Sequence, residues 1–212
     1  HLTLAGATRP AEAEQDLVGY ALQHRFANRR RLRVLGEVLD AMAAASIECL
    51  VLKGAALAHV LYRSTDLRPF GALDLLVAPE DARRAQATLA ELGFHAPPGP
   101  RNRAEADHHH LPIATRIDAD GPVDIEIHHN ALGRDAGHSL TRHELVAPPR
   151  PFSMGTRTAL APGHEDMLFH LSRHAAENTT VFRLLWCADL VGYAARYEPE
   201  IRWDVLVDRY PS

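Results

Sequence analysis

Two sets of residues in this chain could do chemistry, one cationic and one acidic. The cationic set begins at Lys53-Gly54, which follows the apolar run 47–52 and opens a segment of helix formers. A Gly at a strand-to-helix junction lets a phosphate approach the N–H groups of a helix N-terminus, where the dipole also favours an anion. Lys53 adds a positive charge there, and Arg63 and Arg68 in the next loop carry guanidiniums suited to clamping phosphate oxygens. The acidic set is Asp74, among the alternating Leu73, Leu75 and Val77, together with Asp124 and Glu126 in the segment VDIEIHH at 123–129. In that segment Val123, Ile125 and Ile127 share one strand face, while Asp124, Glu126 and His128 share the other.

Each of these residues has a plainer reading beside the chemical one. Asp74 also suits a structural acid at a strand start, and Lys53 a solvated surface charge. Arg63 and Arg68 could simply pair with Asp66 in their own loop. Consecutive His108, His109 and His110 cannot all face one ion from an extended chain, so they read as an exposed loop. His170 and His174 have i, i+4 spacing that can bind zinc, but no Glu stands at the metalloprotease position between them, which favours packing or polar contact to the sheet.

The elements that must position these groups follow from periodicity. Leu32, Leu35, Val38, Leu39 and Met42 recur every three or four residues and predict a helix over 11–46. Residues 47–52 predict a strand, 55–62 a helix, 63–71 a loop and 73–77 a second strand. Pro79 with Glu80 and Asp81 opens a helix that Gly93 ends. A loop over 94–110 leads to a hairpin of 113–117 with 123–127. Gly and Pro crowd residues 130–160, where the pattern supports a short helix near 138–146 and one strand. Helices return at His164: Leu168, Leu171 and Ala175 form one stripe, Phe182, Leu185, Trp186 and Tyr193 another, and Trp203, Leu206 and Tyr210 a third. The expected organisation is an N-terminal helical segment (1–29), an α/β core (30–155) and a helical C-terminal domain (160–212).

Composition narrows the class. With 46% hydrophobic and 24% charged residues over 212 positions, the chain can bury a real core and is not of a disordered type. Lys and Arg number 23 against 27 Asp and Glu, a net charge of −4 that does not point to nucleic acid as a partner. The densest basic run, RFANRRRLR at 25–33, reads as a solvated helix face. Cys49 and Cys187 are far apart with no metal-like spacing, as expected of reduced thiols. With no run of about 18 apolar residues and no signal-peptide pattern, a soluble, cytoplasmic protein is expected.

Taken in order, Lys53-Gly54, Arg68-Pro69, Ala72-Leu73-Asp74, His110-Leu111-Pro112, VDIEIHHNAL and the block from His164 to Leu190 resemble an uncharacterised bacterial branch of the DNA polymerase beta-like nucleotidyltransferase superfamily. The resemblance spans about residues 30–210. It implies an α/β (α+β) core with a mixed sheet, an N-terminal helix and a C-terminal helical domain. It also implies transfer of a nucleoside monophosphate from an NTP such as ATP to an acceptor, which could be a small molecule, a peptide or a protein. In such sites carboxylates hold Mg²⁺ or Mn²⁺ against the triphosphate. The resemblance assigns Asp74 and Glu126 as catalytic metal ligands with Asp124 beside them, Lys53, Gly54 and Arg68 to phosphate, and supporting places to His128 and Arg63. The family's Asp-x-Asp has Ala72 at its first position here. The other class this allows is a catalytically degenerate binding partner for a nucleotide or peptide, for instance in natural-product biosynthesis.

Overall fold

The computed structural model describes residues 10–97, 109–133, 139–177 and 184–209. Helix α1 (Ala11–Ala44) follows Pro10, with Glu12 and Glu14 in its first turn, where the helix dipole favours acids. Its C-terminal half presents Val34, Leu35, Val38 and Met42, all fully buried, to the sheet. The basic run on α1 is largely engaged within the fold: Arg25 and Arg29 pair with Asp66, and Arg33 with Glu37 and Asp118.

Beyond α1 come β1 (Cys49–Val51), α2 (Lys53–Val60), a 3-10 turn at Thr65–Leu67 and β2 (Leu73–Val77). A second 3-10 turn at Pro79–Asp81 leads into α3 (Ala82–Glu91). That helix stops where Gly93 takes φ 82°, the left-handed conformation that a helix C-terminus favours. The hairpin of β3 (Ala114–Asp118) and β4 (Gly121–His128) completes the main sheet, in the order β1-β2-β4-β3. β1 and β2 are antiparallel, β2 and β4 parallel, and β3 and β4 antiparallel, so the sheet is mixed. The chain ends in helices α4 (His164–Glu177), α5 (Leu184–Tyr197) and α6 (Trp203–Arg209).

Alternation along β2 divides its side chains between two apolar clusters. Leu73, Leu75 and Val77 pack with Val123, Ile125, Ile127 and the buried stripe of α1. Leu76 joins Leu50, Leu52, Leu132 and Phe169 on the opposite face. All five β2 residues are therefore buried, Asp74 included.

Between 130 and 160 the structure corrects the sequence reading. Two strands form a separate hairpin, β5 (Arg150–Met154) and β6 (Arg157–Ala161), turned at Gly155 with φ 65°. Residues 139–147 are turns and bends, not a helix. The Glu144 carboxylate accepts from the Thr141 N–H and hydroxyl, a local side-chain bond that competes with helix formation. Pro98 to Pro100, His108, Phe182 and Tyr210 lie outside the described residues.

Candidate active site

Parallel pairing of β2 with β4 sets Asp74 opposite Glu126 and Leu76 opposite His128. Residues in register on neighbouring strands project from the same face, so both carboxylates and the imidazole converge. His128 Nε2 lies 2.9 Å from Asp74 Oδ1 and 3.3 Å from Glu126 Oε2. One ligand atom from each of Asp74, Glu126 and His128 lies within 4.8 Å of the others. The chain folds this way because Leu73, Leu75, Ile125 and Ile127 need the core, which turns the intervening polar residues to the opposite face.

Lys53 closes the group from a third direction. Its ammonium donates to Asp74 Oδ1 at 2.6 Å. The Leu52 N–H donates to the Asp74 carbonyl at 2.9 Å, which ties the entry to α2 against β2 one residue earlier. Lys53 takes φ 46°, a left-handed conformation uncommon for a residue with a Cβ and associated with functional sites. At Gly54 a Cβ would collide with the Arg68 guanidinium and with Phe70, so glycine is needed for this close approach.

Electrostatics follow from these contacts. Burial opposes ionisation of Asp74, but the Lys53 ammonium and the His128 hydrogen bond outweigh it and hold the carboxyl well below the usual range. Glu126 is lowered chiefly by its hydrogen bond to His128, against partial burial and the nearby Asp74 charge. The rings of His109 and His110 lie 5.4 and 5.3 Å from that of His128. Burial, then the neighbouring imidazoles, pushes His109 down to about 4.

Beside the group opens a cleft of about 410 Å³, lined by Lys53, Gly54, Ala72, Asp74 and Glu126 from the sheet side and by His174 and Trp186 from the helices. Arg68 also reaches its wall, but it is buried and its Nη2 donates to Asp189 Oδ2 at 2.6 Å. This ion pair joins the loop to α5. Asn28, fully buried on α1, fixes the same loop by donating to the carbonyls of Thr65 and Arg68. Asp124 is not brought into the group; it accepts from the Thr115 hydroxyl on β3 at 2.7 Å. Arg63 is exposed just past α2.

Two features escaped the sequence reading. Asp189 is buried in a helix whose other charged residue, Arg196, lies in its last turn, and a buried acid requires a partner, which was the available signal. His174, whose spacing favours packing or polar contact to the sheet, lines the cleft. Its neighbour His170 is buried with neither ring nitrogen hydrogen-bonded among the described residues.

The residues fit one divalent ion better than two. Asp74, Glu126 and His128 supply a compact donor set, but Ala72 adds no oxygen and an ammonium already shares Asp74 Oδ1. No helix among the described residues is long and apolar enough to cross a membrane.

Comparison with known proteins agrees with this fold. The solution structure of the antibiotic-resistance factor ANT(2'')-Ia is similar at a TM-score of 0.59 and 15% identity, covering 84% of this chain and 90% of that one. A crystal structure of ANT(2'')-Ia in complex with adenylyl-2''-tobramycin gives 0.59 and 14%, covering 85% and 97%. An antigenic nucleotidyltransferase-like protein from Paracoccidioides brasiliensis gives 0.51 and 13%, covering 79% and 77%. No curated protein sequence matches the chain. The model of a family described as uncharacterised nucleotidyltransferase matches residues 2–211, and the chain belongs to that family.

Proposed function

We propose that this protein transfers a nucleoside monophosphate from an NTP to a hydroxyl group of a small acceptor molecule, with the transfer taking place beside Asp74 and Glu126. The observation that carries this is the convergence of Asp74, Glu126 and His128 with Lys53 at one end of a cleft of about 410 Å³. A small-molecule acceptor is favoured because a similar fold, that of ANT(2'')-Ia, has been seen with adenylyl-2''-tobramycin. A divalent ion, Mg²⁺ or Mn²⁺, bound to Asp74 and Glu126 would neutralise phosphate charge at the attacked phosphorus.

The chain's own residues have distinct parts. An ammonium carries three donors, so Lys53 can keep Asp74 and still offer hydrogen bonds to phosphate oxygens. The start of α2 at Lys53-Gly54 offers backbone N–H groups to the same oxygens. His128 orients both carboxylates through Nε2. Glu126, lining the cleft and held ionised, accepts the proton of the acceptor hydroxyl as its oxygen bonds to the α-phosphorus and pyrophosphate leaves. Arg68 acts indirectly, by fixing the loop before β2.

The test is Glu126→Gln, which removes the charge and keeps the size. Transfer from an α-labelled NTP should fall by about 10²-fold or more, the scale for losing a key electrostatic group, with the far-UV spectrum unchanged. Undiminished transfer would place the chemistry elsewhere. Ala72 on the cleft wall favours a second reading, a binding module that keeps the nucleotide cleft without turnover. Calorimetry showing NTP binding without pyrophosphate release, with a panel of hydroxylated acceptors, would select it.

A further inference from the structure

The carboxylate group is already partly neutralised by the protein. Asp74 and Glu126 carry two negative charges, and the Lys53 ammonium stands 2.6 Å from Asp74 Oδ1. The contact is built in at the level of the main chain. Lys53 occupies the left-handed region at φ 46°, a conformation disfavoured for a non-glycine residue. The residues on both sides hold it there. Leu52 is hydrogen-bonded to the Asp74 carbonyl, and Gly54 is wedged against Phe70 and an Arg68 that Asp189 pins in place. The Lys53 side chain is only 20% exposed and that of Asp74 9%, so the pair works where solvent screening is reduced. Ala72, two residues before Asp74 on the same cleft wall, adds no further acid for the ammonium to balance.

We propose that Lys53 is the resident counter-cation of this site: its ammonium takes the place beside Asp74 that a second divalent ion would need, so the chain accepts one divalent ion with its nucleotide. This rests on the nucleotidyl-transfer reading for its second half only; competition between Lys53 and a metal ion for Asp74 can be measured without nucleotide. With nucleotide bound, the same ammonium would reach from Asp74 to the triphosphate, so Lys53 would contact substrate while holding the carboxylate.

The experiment titrates Mn²⁺ and follows the free-ion electron paramagnetic resonance signal, first on the protein alone and then with a nonhydrolysable ATP analogue. Lys53→Met keeps most of the length of the unbranched side chain and removes its charge; Mn²⁺ should then bind about tenfold more tightly or better without nucleotide, because a cation beside the ligand oxygen no longer repels it. Lys53→Arg keeps the charge and should stay within about threefold of the parent. Unchanged or weaker Mn²⁺ binding by Lys53→Met, or an equal gain in both variants, overturns the proposal. Should Lys53→Met fail to fold, the stoichiometry of the parent protein decides: one Mn²⁺ per chain with the analogue supports the proposal, and two overturn it. Failure of the analogue to bind, alongside a Mn²⁺ gain in Lys53→Met, would refute the transfer reading and leave the counter-cation role standing.

Discussion

Arg68 and Asp189 form the contact whose loss should be felt most. Arg68 comes from the loop before β2 and Asp189 from α5, and their side chains are 8% and 2% exposed. Besides the 2.6 Å Nη2–Oδ2 bond, Asp189 Oδ1 accepts from the Tyr62 hydroxyl at 2.7 Å, so one carboxylate holds two elements. Asp189→Asn keeps the shape and leaves a buried guanidinium without its counter-charge. Removing one partner of a buried pair costs about 3–5 kcal/mol. For a chain of this size that corresponds to a fall in Tm of about 6–20 °C. Arg68→Met should cost a similar amount, by stranding the acid. The double variant Arg68→Met with Asp189→Leu should lose much less than the two singles together, because neither charge is then abandoned. Thermal unfolding followed by circular dichroism reads all three. A fall of under about 2 °C in both singles, or strict additivity in the double, would refute a buried structural pair. Arg68 would then be free to serve phosphate directly.

Three further outcomes follow from the same geometry. Gly54→Ala should cost about 1–3 kcal/mol by overpacking, since its methyl group meets Phe70 and the pinned Arg68 guanidinium; urea unfolding measures it, and a neutral result would mean the loop yields freely. His109 and His174 are each pushed down to about 4, first by burial, from an ordinary 6.5. The unfolded chain therefore takes up these protons first, so stability should fall as pH drops from about 6.5 to about 4, and His174→Gln should flatten the slope; stability rising over that window would contradict the burial of these rings. Ala72→Asp should lower the Tm slightly without metal, by like-charge repulsion with Asp74, and should increase the stabilisation given by Mg²⁺ in a paired thermal-shift titration. Identical Mg²⁺ shifts in parent and variant would show that position 72 does not face the ion.

Local pattern made much of the fold legible, and distance in sequence hid the rest. The alternation of Leu73, Leu75 and Val77 marked β2, and the Pro79 and Gly93 signals bracketed α3 because they act within a turn of chain. The β5–β6 hairpin was obscured by Pro151 and by its residue types: β5 alternates in burial, but its inward positions are Arg150, Phe152 and Met154, none of them fully buried, so no apolar period marks the strand. At the site, period-two reasoning could place Asp74 and Glu126 on polar faces. It could not give the register that sets them side by side, which depends on nonlocal pairing of β2 with β4. The Arg68–Asp189 contact spans 121 positions, so an acid among the apolar residues of α5 could signal that a partner exists, but neither local segment identifies Arg68 as that partner.

The two carboxylates differ in what the fold requires of them, and this bears on function. Asp74 sits in a strand buried along its whole length, and Lys53 and His128 both depend on it for a partner. Substitution there would take from Lys53 the carboxylate it pairs with and leave fully buried His128 with only the longer contact to Glu126, so the fold itself favours an acid at 74. Ala72 shows the opposite case: half-buried at the cleft edge, it marks a position where a carboxylate could be lost without disturbing the core. Glu126 lies between these extremes. Its side chain is 18% exposed and lines the cleft, and the buried histidine it touches already has Asp74 at a shorter distance. Structure alone therefore asks little of Glu126. Under the proposed transfer reading, a carboxylate at the cleft in register with Asp74 would handle a cation or a proton, and for that reason Glu126→Gln is the substitution that separates chemistry from architecture.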